Sequence, residues 1–415
     1  MRTNNTVSIV PGSVKQSNTP HTQAPESAWS IFLIFLRLGL TSFGGPVAHL
    51  GYFRDEFITR RRWLSEQQYA DLLALCHFLP GPSSSQVGMG LGISQAGYGG
   101  AFAAWLGFTM PSALLLILFA FGVSIYQEMI PDTALHGLAI VAVAVIAQAV
   151  WGMTRSLCPD TPRITMMVTV TCYLLLFPSI WGQIVTMLAA GIIGLLLFKP
   201  DIVEHDQQLA VPITQRQGVV WLSLFAILLL ALPLAVNLVP TLPLQLVDSF
   251  YRAGSLVFGG GHVVLPLLQE ETVQTGLLSD EVFLAGYGAA QAVPGPLFTF
   301  AAFLGAAISS SLGAFITGML CLIALFLPSF LLIAGALPFW EKLRRYRPIR
   351  AALMGVNAAV VGLLLAALYR YAWFNTIQTP KDFAFALIAL TALMAWKLPP
   401  WLVVIVGSLL VWLTS

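Results

Sequence analysis

The chain has 415 residues, of which 57% are hydrophobic and only 9% charged, with a mean hydropathy of +0.82 and a net charge of +2. Soluble domains carry about 25% charged residues, so this composition excludes an ordinary globular protein and indicates an all-α polytopic membrane protein. So few basic residues also argue against a nucleic-acid surface.

Residues 1–27 are polar and rich in Ser, Thr, Asn and Pro. Lacking an apolar h-region, they predict a disordered tail and no cleavable signal peptide. A spanning helix needs about 20 mostly apolar residues. Unbroken candidates cover roughly 100–123, 135–153, a tight hairpin of 164–177 with 180–198, and 218–238. In the second half they cover roughly 312–337, 351–369, 382–396 and 400–414. Four further apolar segments, around 28–53, 69–93, 244–268 and 284–308, are interrupted by Gly-Gly or Pro-Gly-Pro. The total is about 12–13 hydrophobic segments, the shortest of which must tilt or thin the bilayer.

The interruptions recur in order. Arg37-Leu-Gly-Leu-Thr-Ser-Phe-Gly-Gly-Pro46 returns as Arg252-Ala-Gly-Ser-Leu-Val-Phe-Gly-Gly-Gly261, and Pro80-Gly-Pro82 returns as Pro294-Gly-Pro296. Leu64-Ser-Glu66 matches Leu278-Ser-Asp280, and Pro111-Ser112 matches Pro328-Ser329. Breakers repeated at a near-constant offset in apolar surroundings indicate an internal duplication. The expected organisation is a first repeat over 28–198, a polar linker plus one topology-inverting helix over 199–243, and a second repeat over 244–415.

Loop charge orients the copies. Arg54–Glu66 holds four arginines, whereas its counterpart Gln269–Glu281 holds only acidic charge. In the next pair the bias reverses, with Ser124–His136 free of Lys and Arg and Pro338–Arg350 strongly basic. Lys and Arg in short loops stay cytoplasmic, so the pattern predicts repeats of inverted topology. Parity between the loops at 54–66 and 124–136 requires one of the two intervening segments not to cross. The Pro-Gly-Pro segments, 69–93 and 284–308, are therefore expected to be re-entrant or broken, and the Phe-Gly-Gly segments are open to the same reading.

Broken backbone at membrane depth is tolerated only inside protein or around a wet cavity, and repeat-matched breaks point to a transport site. The residues at these breaks suit an anion. Gly44, Gly45, Gly81, Gly259, Gly260 and Gly295 bring backbone N–H groups close to a ligand. Pro82 and Pro296 fit the start of a half-helix whose positive end faces the cavity. Ser83, Ser84 and Ser85 add hydroxyls in the first copy, and Thr299 matches Ser85 in the second. Leu297 and Phe298 stand where the other serines would be, which shifts the expected site toward the first copy. Gln86 is expected to line the cavity. Arg37 and Arg252, six residues before Phe-Gly-Gly, offer guanidinium forks suited to an oxyanion; the plainer reading is that each snorkels to the headgroups.

His49, His77 and His262 lack partners at ligand spacing and read as polar packing or cavity residues, so no metal is expected. Nor is a cofactor, and no phosphate-binding G-x-x-x-x-G-K-[ST] loop is present to use ATP. Cys76, Cys158, Cys172 and Cys321 are scattered and read as small apolar residues. An intramembrane enzyme using His77 or His262 as base is disfavoured, because neither is repeat-matched or paired with a nucleophile. The chain reads as a transporter, not an enzyme.

Phe43-Gly-Gly-Pro-Val-Ala-His-Leu-Gly-Tyr-Phe53, Trp63-Leu-Ser-Glu66, Leu79-Pro-Gly-Pro-Ser-Ser-Ser85 and Gly254-Ser-Leu-Val-Phe-Gly-Gly-Gly-His262 together resemble the chromate ion transporter family, specifically its long two-domain members, from about residue 28 onward. The resemblance implies export of chromate, a tetrahedral dianion close in shape and charge to sulfate, with a bacterial inner-membrane location and a resistance phenotype. The family's motif residues fall on Arg37, Phe43, Gly44, Gly45, Pro46, Pro80, Gly81 and Pro82 and on their second-copy equivalents. Uptake of sulfate or another oxyanion is the alternative. The expected partners are chromate, sulfate in the alternative, and the lipid bilayer, with a homodimer as one open assembly. The expected mechanism is rocking of one repeat against the other about a midplane site.

Overall fold

The computed structural model describes residues 26–125, 132–177, 180–199, 212–258, 260–308, 313–340, 343, 346–373 and 376–414. Among them there are helices and no strands. The expected tail (1–25), most of the linker (200–211) and Gly259 lie outside the described residues, as do parts of the loops at 124–136 and 338–350.

The first repeat opens with two helical hairpins. The first is α1 (Ala28–Thr41) and α2 (Gly45–Phe53), the latter continued by a π-helical turn at Arg54–Arg60. The chain reverses at Gly44 and Gly45, whose φ angles of +100° and +76° are ones that side-chain-bearing residues rarely adopt. Phe35 of α1 then stacks on Phe53 and Phe57 of the returning arm. The two ends meet where Arg61 pairs with Glu26 at 3.6 Å.

The second hairpin joins α3 (Glu66–Phe78) to the first arm of α4 (Ser83–Ile125). Ser65 caps α3 by a reciprocal bond with Gln68, and Pro80-Gly81-Pro82 ends it. Leu72 packs against Gly90 across the turn. A second reversal at Ala96–Gly97, where φ and ψ leave the helical range, folds α4 back on itself so that Gly92 lies against Gly100. The second arm is the first full span. Then follow α5 (Asp132–Leu157), α6 (Thr161–Leu176) and α7 (Ile180–Leu197).

After α8 (Gln215–Leu238) the plan repeats. In one hairpin α9 (Leu242–Leu256) turns at Gly260 into α10 (Val264–Thr272), with Ser249 donating to Glu271 at 2.6 Å across it. In the next, α11 (Asp280–Ala292) turns at Gly295 into α12 (Phe300–Ile308), with Tyr287 against Phe300. A turn at Gly313 leads to α13 (Ala314–Ala336), then α14 (Arg347–Ala367), α15 (Pro380–Met394) and α16 (Pro400–Thr414). Among the described residues, five segments are long and apolar enough to cross a membrane, at Ser83–Val123, Leu135–Leu157, Gln215–Leu238, Ala314–Phe339 and Arg347–Arg370. At 15 residues each, α15 and α16 span only about 22 Å, short of a hydrocarbon core of about 30 Å.

The inversion is visible in packing. The second arm of α4 and its counterpart α13 lie side by side with Trp105 against Phe326 and Ile117 against Gly318. Ascending numbers on one helix meet descending numbers on the other, so the matched helices are antiparallel. The repeats also interlock. α6 and α7 pack on α14, where Gly194 meets Ala351 and Gly362 meets Met167; α15 and α16 pack on α5, where Gly137 meets Ser408. Each repeat thus lends its last helical pair to the other.

Candidate functional site

Hairpins of the first repeat and hairpins of the second enter from opposite sides and meet tip to tip. Gly81 N–H donates to Val257 O at 2.7 Å, and Gly295 N–H donates to Ser42 O at 2.9 Å. Ser42 and Val257 are repeat counterparts, as are Gly81 and Gly295, so the two bonds form the reciprocal pair that two-fold symmetry produces. Gly81 and Gly295 carry φ angles of +119° and +107°, and each faces the serine beside the other repeat's intrahelical proline. A Cβ on Gly81 would strike Ser329 Oγ and come within 2.9 Å of Gln86 Nε2; one on Gly295 would come within 2.8 Å of Ser112 Oγ. Pro46 of one Phe-Gly-Gly tip touches Gly261 of the other, 3.3 Å from where its Cβ would be.

The residues singled out in the sequence are placed as follows. Gly44, Gly45, Gly81, Gly260 and Gly295 form the turns of the four tips, while Gly259 lies outside the described residues. The amides of Gly81 and Gly295 are already given to protein carbonyls, so they are not free donors. Pro82 directly precedes α4, and Pro296 directly precedes the 3-10 turn Leu297–Thr299 that leads into α12. Ser83 is half-buried, and Ser84 and Ser85 are buried in the first turn of α4. Gln86 is fully buried and donates from Nε2 to Pro80 O at 2.7 Å. Thr299 Oγ1 donates to Pro296 O at 2.7 Å and is satisfied within its own turn.

Several buried polar atoms near these tips have no hydrogen-bond partner among the described residues: Ser42 Oγ, Ser85 Oγ, Gln86 Oε1, Thr109 Oγ1, Ser329 Oγ and both ring nitrogens of His49. Buried polar atoms are ordinarily paired, so these atoms are open to a hydrogen-bonding group or water. All but Ser329 belong to the first repeat.

The two matched arginines differ. Arg252 is held between Asp248 at 3.0 Å and Glu271 at 3.1 Å. Arg37 is exposed and forms no ion pair with any described residue. Leu33 stands where Asp248 would be, and Glu56, the counterpart of Glu271, is taken by Arg60 at 2.6 Å and Arg61 at 2.8 Å. Repeat matching thus identified two equivalent positions but not their opposite electrostatic surroundings.

A cavity of about 370 Å³ lies between α3 and α14, lined in part by Asp71, His77, Phe78, Trp340, Arg350 and Asn357. Its α3 wall ends at the Pro80-Gly81-Pro82 tip. Of its polar lining, sequence reasoning weighed only His77 and missed the rest. The available signal was Asn357, an isolated amide inside the apolar run 351–369.

A family model described as "Chromate transporter" matches residues 29–195 and 244–412, one match for each repeat. The chain is 29% identical to a chromate transport protein of Pseudomonas aeruginosa over 95% of this chain and 93% of that one. It is 24% identical to a chromate transport protein of Cupriavidus metallidurans, over 98% and 97% respectively. An uncharacterized transporter of Methanocaldococcus jannaschii is 27% identical over 83% of this chain and 85% of its own length. No solved structure matches the chain at a significant level.

Proposed function

The chain belongs to the chromate transporter family, and from that premise we propose that it is a secondary transporter exporting chromate across the inner membrane of a bacterium and so conferring chromate resistance. The observation that carries the reading is the meeting of the four hairpin tips in two reciprocal pairs, one of them at the first turn of α4, near buried polar atoms without partners among the described residues. The first amides of a helix have no intrahelical acceptor and lie at its positive end. At α4 they are joined by the hydroxyls of Ser83, Ser84 and Ser85, with Ser42 and Ser329 facing the tips. Such a set replaces the water around a tetrahedral dianion and leaves its release reversible.

Arg37, whose charge no described residue neutralises, supplies attraction on the first-repeat side. Arg252 is balanced by its two carboxylates and acts mainly in holding the second repeat's hairpin closed. Outward movement of two negative charges is favoured by an inside-negative potential, at about 2.3 kcal/mol per charge per 100 mV, so export requires no ATP.

The test is uptake of labelled chromate into inside-out vesicles, with and without an imposed potential and with sulfate as competitor. Accumulation that rises with potential supports export, as does increased chromate tolerance of a sensitive strain expressing the protein. Accumulation only in right-side-out vesicles would replace export by uptake.

A further inference from the structure

The repeat symmetry is also broken in how the hairpins pack. α3 and α14 are the counterparts of α11 and α5. α11 packs along α5, with Gly288 against the Leu138 carbonyl, 2.9 Å from where a Cβ would be. α3 instead stands off from α14, and the cavity of about 370 Å³ lies between them. One liquid water takes up about 30 Å³, so this space is large enough for a hydrated oxyanion. Inverted repeats that differ in this way describe a transporter open on one side and closed on the other. The open side is that of the basic segments, Arg54–Arg62 before α3 and Arg347 and Arg350 at the start of α14, and is therefore cytoplasmic.

We propose that the cavity between α3 and α14 is the cytoplasm-facing binding vestibule for the oxyanion, with Arg350 as its principal cation and Asn357 and His77 as further donors. This rests on the reading of the protein as a chromate transporter. Arg350 and Asn357 are seven residues apart and share one face of α14, while His77 stands at the end of α3 just before the Pro80-Gly81-Pro82 tip. Trp340 packs its ring on Phe78 at 5.9 Å and forms part of the cavity wall. A guanidinium carries five donors and no acceptor, so a cavity that it lines favours a ligand made of acceptors. Asp71 places a carboxylate on the opposite wall. The anion enters here, is held by Arg350, and passes along His77 to the first turn of α4.

Two measurements decide the matter. In inside-out vesicles, Arg350→Gln is expected to raise KM for chromate by about tenfold or more through loss of a charge-assisted hydrogen bond, with Arg350→Lys intermediate. An unchanged KM in Arg350→Gln beside an active wild type overturns the vestibule and leaves the transporter standing. Independently, Ala74→Cys, on the cavity wall and exposed, is made in a Cys172→Ser background. A membrane-impermeant maleimide should label it from the cytoplasmic face only, and chromate should slow the labelling more than chloride does. If chromate protects although no flux is measured, the vestibule stands and the transport reading fails. Labelling from the outer face, or no protection, overturns the vestibule whatever the flux.

Discussion

At the scale of single residues, the tip glycines are the most constrained positions. Gly81 combines a φ of +119° with Ser329 Oγ and Gln86 Nε2 where a side chain would start. A left-handed backbone costs an L-residue about 1–2 kcal/mol, and the clash adds to it. Gly45, at +76°, has nothing within 4 Å of the Cβ position, so only the backbone term applies. Gly81→Ala should therefore lower the thermal midpoint of the purified protein clearly more than Gly45→Ala, as followed by scanning fluorimetry; equal shifts would contradict the tip contact. The arginines give a second test. Arg252→Gln leaves Asp248 and Glu271 facing each other unneutralised, and removing one partner of a buried charge cluster costs about 3–5 kcal/mol. Its folded yield should fall and be partly restored by Glu271→Gln. Arg37→Gln breaks no ion pair with a described residue, so it should keep wild-type yield while losing chromate flux. Full flux in Arg37→Gln would remove that residue from the site.

At the scale of elements, glycines let helices approach until backbones touch, which lipid-embedded packing needs because no hydrophobic drive separates helix from tail. Gly355 of α14 lies directly against the Ala190 carbonyl of α7, and Thr171 donates to Gly362 O at 3.1 Å from α6. These contacts hold the first repeat's last helical pair onto the second repeat. Gly355→Val should push α7 away and sharply reduce detergent-stable protein, whereas Gly152→Ala, with open space around it, should be tolerated. Size-exclusion profiles of the two variants make the comparison. The expectation that whole repeats rock against one another meets the same contacts: α6, α7, α15 and α16 are each seated on the other repeat.

At the scale of the whole molecule, the hairpins return to the side they enter from, so the inverted repeat predicts crossings by the second arm of α4, by α5 to α8, and by α13 to α16. Residues near 61–64 and near 274–278 should accordingly lie on opposite faces. Cysteines at Arg62 and Gln274 should be labelled by an impermeant thiol reagent from the cytoplasmic and outer face respectively, and same-side labelling would contradict the inversion. The duplication, the breaks and the opposed loop charges were legible in the sequence because each depends on local chemistry: glycine at a reversal, proline at a helix start, arginine in a short loop. Composition alone likewise fixed the membrane as solvent. Only the tertiary structure decided which tip meets which, that Gly81 and Gly295 donate to Val257 and Ser42, and that Asp71, Trp340, Arg350 and Asn357 share a cavity with His77. These are relations between residues far apart in the chain. They arise from packing two inverted copies against each other, and no local periodicity encodes them.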